Sequence, residues 1–234
     1  MSNICCVFKT LQMALNYLFY RKSLISLTGL FLCVFLIVHL SANAILLLPN
    51  DIASEMYNSY SHTLRENPLI TVVAYVLYVS IILHAVMALL ITIHNRKAKP
   101  SKYVVDNSHK NSTWYSKNMG ILGSLILIFI IIHLANFWAR IKLGLGEEVP
   151  LDADGYKNVF SVTYALFQNI WFVGFYSLIS IPLAFHLYHG LKSGFKTLGF
   201  YHKNGLKILA KVSLIYAVIM GVGFGIIPIV VYLK

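Results

Sequence analysis

Five stretches of the chain carry no Asp, Glu, Lys or Arg: residues 23–50, 67–95, 118–139, 158–191 and 212–233. Each exceeds the roughly 20 apolar residues that a helix needs to cross the hydrocarbon core of a bilayer. A membrane β-barrel would instead show alternating segments of about ten residues. The pattern predicts transmembrane helices near 23–48, 69–95, 118–143, 165–197 and 207–232, all in one domain over residues 1–234. The expected fold class is all-α, an integral membrane bundle of five helices. The first stretch is too long for a removable signal peptide, and His39 lies well inside it. The polar connections, roughly 20 to 25 residues at most, leave no room for a soluble domain.

Composition agrees. The chain is 58% hydrophobic and 12% charged, with a mean hydropathy of +0.72, whereas soluble domains carry about 25% charged residues. The net charge of +11 gains meaning from its distribution. With the N-terminus inside, the inner segments hold 14 of the 19 basic residues: Lys9, Arg21, Lys22, Arg96, Lys97, Lys99, Lys102, Lys110, Lys117, Lys192, Lys196, Lys203, Lys207 and Lys211. Seven of the eight acids (Asp51, Glu55, Glu66, Glu147, Glu148, Asp152, Asp154) fall outside, and only Asp106 falls inside. The positive-inside rule then orients the chain N-in, C-out. The basic surplus is an orientation signal, and no nucleic-acid partner is expected. The three cysteines (Cys5, Cys6, Cys33) form no disulfide framework, and no C-x-x-C-H exists for covalent haem attachment.

Nine histidines occur. His62, His109 and His202 fall in connections and are expected to be solvated, and His94 is expected at the interface. His39, His84, His133, His186 and His189 lie within the apolar stretches, where a polar group needs a partner. Depth follows from the rise of 1.5 Å per residue. His39 is 17 residues beyond Lys22 and His133 is 16 beyond Lys117, each roughly 25 Å along an outward helix. His84 precedes Arg96 by 12 residues and His186 precedes Lys196 by 10, about 15 to 18 Å along inward helices. Two pairs at two levels point to two bis-histidine b haems stacked across the membrane, since haem iron takes an imidazole on each face. Zinc would call for four ligands at one level. Isolated packing histidines and a proton relay are the other readings of such residues. His189 follows His186 by three residues on nearly the same face. Pro182 frees the carbonyl of Leu178 and should bend the helix, so depth alone leaves His186 and His189 both open.

These residues carry a likeness. "SLTGLFLCVFLIVHL", "LHAVMAL", "IIIHLANFW" and "FHLYHGL" followed by "KTLGF" resemble, in order, four helix signatures of the succinate dehydrogenase and fumarate reductase cytochrome b subunit, the di-haem b558 family. The family pattern places the fourth ligand four residues before one Gly and 13 before another. His186 meets both offsets through Gly190 and Gly199, and His189 meets neither. The resemblance implies a five-helix anchor in a bacterial cytoplasmic (inner) membrane. It implies a distal haem on His39 and His133 and a proximal haem on His84 and His186, with His189 as the alternative. It implies a flavoprotein subunit and an iron–sulfur subunit as partners, with electrons passing between the clusters and membrane quinone, of the menaquinone type. Related complexes are often dimers of such heterotrimers. The dicarboxylate site would belong to a partner, and no phosphate-cradling motif occurs in the loops.

Haem propionates would seek Lys22, Ser23, Ser26, Lys192 or Lys196, and Gly29, Gly123 and Gly174 could admit a flat macrocycle. Quinone chemistry moves protons, so a titratable group is expected near the head group. Glu66, at the outer mouth of the second helix, is the candidate. The nearest rival function is a b-type cytochrome serving a hydrogenase or formate dehydrogenase. A haem-free transporter would show an internal repeat, and none is seen beyond the recurring His.

Overall fold

The computed structural model describes residues 2–97, 113–200 and 202–234, with side chains from residue 19 onward except that of Lys203. Lys99, Lys102, Asp106, His109 and Lys110, and the side chains of Cys5, Cys6, Lys9 and Lys203, lie outside the described residues. Helix α1 (Ser2–Asn43) ends in a 3-10 turn, Ala44–Leu47. Helices α2 (Asn50–Glu66) and α3 (Pro68–Lys97) follow. A short α4 (Trp114–Lys117) leads into α5 (Met119–His133), a π-helical segment Leu134–Ala139 and α6 (Arg140–Leu143). The chain closes with α7 (Val159–Phe167), α8 (Ile170–Thr197) and α9 (Lys203–Tyr232). Among the described residues the only β pairing is an isolated bridge between Leu151 and Lys157.

Five segments are long and apolar enough to cross a membrane: Phe19–Leu47, Pro68–Lys97, Met119–Leu143, Ile170–Thr197 and Asn204–Tyr232. The protein is a multi-pass helical membrane protein. Contacts between helix ends set the up-and-down order. Gly194, late in α8, faces Leu30 and Ser26, early in the first span. Gly120, at the start of α5, faces Thr92 near the end of α3. At the other end the Gln168 amide donates to the Val231 carbonyl at 3.2 Å, and Lys234 Nζ donates to the carbonyls of Leu46 and Leu48. Every described acid lies at this second end, in α2 or between Gly144 and Lys157. The bundle thus has a basic end and an acidic end.

Three boundaries differ from the sequence expectation. Helix α1 starts at Ser2, because no Gly or Pro interrupts residues 2–22. The connection over 51–66 is a helix that buries Ala53 and Asn58, the latter donating to Asn158 Oδ1 at 3.0 Å and accepting from the Phe160 amide at 2.9 Å. Asp51 in its first turn and Arg65 in its last favour the helix dipole. The fourth expected helix, 165–197, is in fact two. Residues 165–167 end α7, and Asn169 caps α8 by accepting from the Trp171 amide at 3.0 Å. Gln168 and Asn169 are uncharged, so the charge-free stretch ran over the break unmarked.

Helix α9 packs through glycines on two faces. A Cβ on Gly221 would stand 2.9 Å from Ala184 Cβ, and one on Gly225 would stand 2.8 Å from Ser180 Oγ. One on Gly223 would stand 2.8 Å from Leu40 on α1. Such small-residue seams replace the hydrophobic drive that lipid removes. Gly221→Leu should therefore force α8 and α9 apart, at the cost of about 1–3 kcal/mol typical of overpacking. Thermal unfolding in detergent should show a lowered midpoint, whereas Val222→Leu, on the exposed flank, should leave it unchanged.

Candidate functional site

The five histidines within the spans do not form one cluster. Among the described residues no three His, Cys, Asp or Glu side chains converge on a point. They form two pairs instead. His39 of α1 faces His133 of α5, with ring centres 5.8 Å apart and planes at 88°. His84 of α3 faces His186 of α8, with ring centres 6.2 Å apart and planes at 65°. Two imidazoles bound on opposite sides of one metal ion, through bonds of about 2 Å, have ring centres about 6 Å apart. Both pairs therefore have the spacing that a two-imidazole metal centre requires. His189 is not part of either pair, and its ring packs against Tyr115 at 6.0 Å.

The pair near the acidic end sits in an aromatic sleeve. Phe35 stacks on His39 at 5.2 Å, and Phe224 approaches it at 5.8 Å. Around His133 stand Phe129, Phe137 and Tyr176, with centroids at 5.5, 5.1 and 6.0 Å. The Tyr176 hydroxyl accepts from the Asn136 amide at 3.0 Å. One turn beyond His39, the Asn43 amide donates to the His39 carbonyl at 2.8 Å. Its oxygen accepts from the Tyr57 hydroxyl on α2 at 3.1 Å. The α2 helix thereby braces the end of α1 next to His39. Tyr57 is half-buried there, and desolvation raises its phenol above the usual range, with Thr163 opposing the shift. The bracing hydroxyl stays a donor throughout the neutral range.

The second pair is held differently. Thr28 Oγ1 donates to the Leu24 carbonyl at 2.8 Å, so its proton is committed. Its oxygen lies 3.2 Å from His84 Nδ1. Where Nδ1 carries the ring proton, that oxygen accepts it and Nε2 is the bare nitrogen, the arrangement that ligating histidines commonly show. Gly29 lies against the same ring, since a Cβ there would stand 3.0 Å from His84 Cε1. Gly123 stands similarly to His186, at 3.7 Å from Cε1, while Gly174 faces open space. His133 Nδ1 and His186 Nδ1 are buried and without a hydrogen-bond partner. A buried ring nitrogen left in that state is costly, and a metal at Nε2 would not relieve it, because Nδ1 would then carry an N–H still in need of an acceptor.

The remaining candidates fall apart from the pairs. Ser26 is buried, but its hydroxyl is committed to the Lys22 carbonyl at 2.8 Å. Glu66 is exposed at the end of α2. Its neighbour Arg65 is lowered by partial burial, with Glu66 and Asp152 opposing that shift. Glu66 thus belongs to a charged rim with Asp152 and Arg65. His62, expected to be solvated, stacks on Tyr156 at 3.6 Å. Thr28, Asn43, Tyr57 and Tyr176 were not singled out by the sequence. Thr28 had a signal: it precedes His39 by 11 residues, three helical turns, and so lies on the same face of α1.

No protein-family model, curated protein or solved structure matches the chain.

Proposed function

We propose that this chain is the membrane-anchoring cytochrome b of a succinate:quinone oxidoreductase, working as succinate dehydrogenase or fumarate reductase. The observation that carries the reading is the pair of two-histidine sites, one in each half of the bundle, each joining two different helices at a spacing of about 6 Å. The four motifs and their order support the family. Haem b, bound at each site, would supply reversible one-electron iron chemistry. His39 and His133 hold the distal haem and His84 and His186 the proximal one. The chain's own work is to present neutral imidazoles from rigid helices, to orient His84 through Thr28, and to exclude water with apolar and aromatic walls. The flavoprotein and iron–sulfur subunits dock at the basic end, which faces the cytoplasm of a bacterial cell. Menaquinone exchanges electrons from the lipid phase.

A pyridine-haemochromogen assay on the purified complex tests this directly. It should count two haems b per chain, and acid–acetone should extract both, because no thioether bond holds them. A complex that keeps full anchor function with no haem would overturn the reading.

A further inference from the structure

We propose that the crevice between α8 and α9 holds an acyl chain of an anionic phospholipid, whose phosphate is seated by Lys192 and Lys196 at the basic end of α8. This inference does not depend on the haem reading. The crevice has a volume of about 400 Å³ and is walled by Ser177, Ile181 and Phe185 on α8 and by Val222, Ile226 and Ile229 on α9. It is an open groove rather than an enclosed pocket, as suits a chain lying along the lipid-facing surface. Its walls are almost wholly apolar, and its flanks face the lipid, since Ile181, Phe185, Val222 and Ile226 are all exposed.

The crevice alone would accept any hydrocarbon. What selects the occupant is the continuation of its α8 wall. Ser177, Ile181, Phe185, Tyr188 and Lys192 follow one another at spacings of three and four residues, so they form a single stripe on one helix face. At the foot of that stripe the Lys192 ammonium lies 6.0 Å from the centre of the Tyr188 ring. Tyr115 packs edge-on against Tyr188 at 5.3 Å, and Trp114 packs against Phe185 at 5.8 Å. Lys196 stands one turn further on, and His189 one turn before. Tyr and Trp concentrate at the depth of lipid headgroups. Among the described residues every acid lies at the opposite end of the bundle. Positive charge gathered here therefore calls for an anion from outside the described chain, and anionic lipid is the anion that a membrane surface provides.

The distances agree. Phe185 lies 7 residues from Lys192 and Ser177 lies 15, so the crevice runs from about 10 to about 22 Å above the ammonium. One leaflet's chains fill about 15 Å of hydrocarbon, so a tail whose phosphate sits on Lys192 enters the lower part of the crevice.

The test is lipid mass spectrometry on the full complex, purified from native membranes and washed with a delipidating detergent. Wild type should retain about one anionic phospholipid per chain. The double variant Lys192→Gln/Lys196→Gln should lose it by about tenfold, and Lys192→Arg should keep it. Val222→Trp fills the crevice from a lipid-exposed position without touching charge, and should also lose it. The two losses together keep the result independent of any one variant's folding, which size-exclusion profiles would monitor. His84→Ala should retain the lipid, because the seat serves a phosphate and not a haem carboxylate. Retention of only neutral isoprenoid or zwitterionic lipid would overturn the proposal. So would loss in His84→Ala, or full retention in both the charge and the crevice variants.

Discussion

His186→Ala should remove one of two haems, and His189→Ala, three residues away, should remove neither. His186 stands opposite His84 with ring centres 6.2 Å apart, whereas His189 turns its ring onto Tyr115. Loss of an axial imidazole leaves iron five-coordinate or frees the haem. Loss of a neighbour only tunes the potential. Low-temperature optical spectra and electron paramagnetic resonance of the complex should therefore sort the single variants. His84→Ala and His186→Ala should lose the same low-spin signal, and His39→Ala and His133→Ala should both lose the other. His189→Ala should keep both signals, with a shifted midpoint for the centre near it. Retention of that centre in His186→Ala, with its loss in His189→Ala, would move the ligand to His189. Four indistinguishable spectra would dissolve the pairing.

Gly29→Val should empty the same site without touching either of its histidines. A Cβ added at Gly29 would stand 3.0 Å from His84 Cε1, tighter than nine in ten such contacts. Valine adds two methyl groups that a packed helix interface has no room for, and cores resist even one extra methylene. The imidazole must leave its place opposite His186, and its bond to Thr28 Oγ1 goes with it. The haem count should fall from two to one per chain, and the surviving spectrum should match that of His84→Ala. Gly205→Ala in α9, whose Cβ makes only an ordinary contact at 3.7 Å, should keep both haems. A Gly29→Val chain with two intact centres would show that the spacing of α1 and α3 does not fix His84.

The spans were legible because burying charge in hydrocarbon is so costly that five charge-free stretches mark them on sight. The common level of His84 and the two α8 histidines was legible for a simpler reason: a helix converts residue number into depth at a fixed rate. Which of His186 and His189 faces His84 was not, since a bend at Pro182 moves both rings and depth left both open. Rotation about the helix axis is less legible, because many faces of a membrane helix are apolar. That is why Thr28 escaped notice although it shares a face with His39. Helix α2 was hidden by its own composition. Its face toward the bundle is short, with Ala53 and Asn58, and its other residues are polar enough to read as a loop. The break at Gln168 and Asn169 was hidden because capping uses amides, which a search for charge passes over. The glycines of α9 were visible as small residues, but which of its two faces each one serves depends on neighbours that only the fold supplies.

The six π-helical residues that follow His133 have a consequence for the phase of the third span. A wider turn takes up one extra residue, which amounts to about 100° of rotation. Upstream of it, the helix aims His133 at His39. Within it, the Trp138 indole N–H reaches the Tyr78 hydroxyl at 2.8 Å, and just beyond it Arg140 meets Glu147 at 3.0 Å. A regular helix that aimed His133 at His39 would turn Trp138 off Tyr78. Removing a single residue between 134 and 137 would restore regularity and swing Trp138 off its partner while His133 stayed where it is. The segment acts as a joint between two clocks, letting the membrane-buried half and the loop-facing half of one helix keep different time.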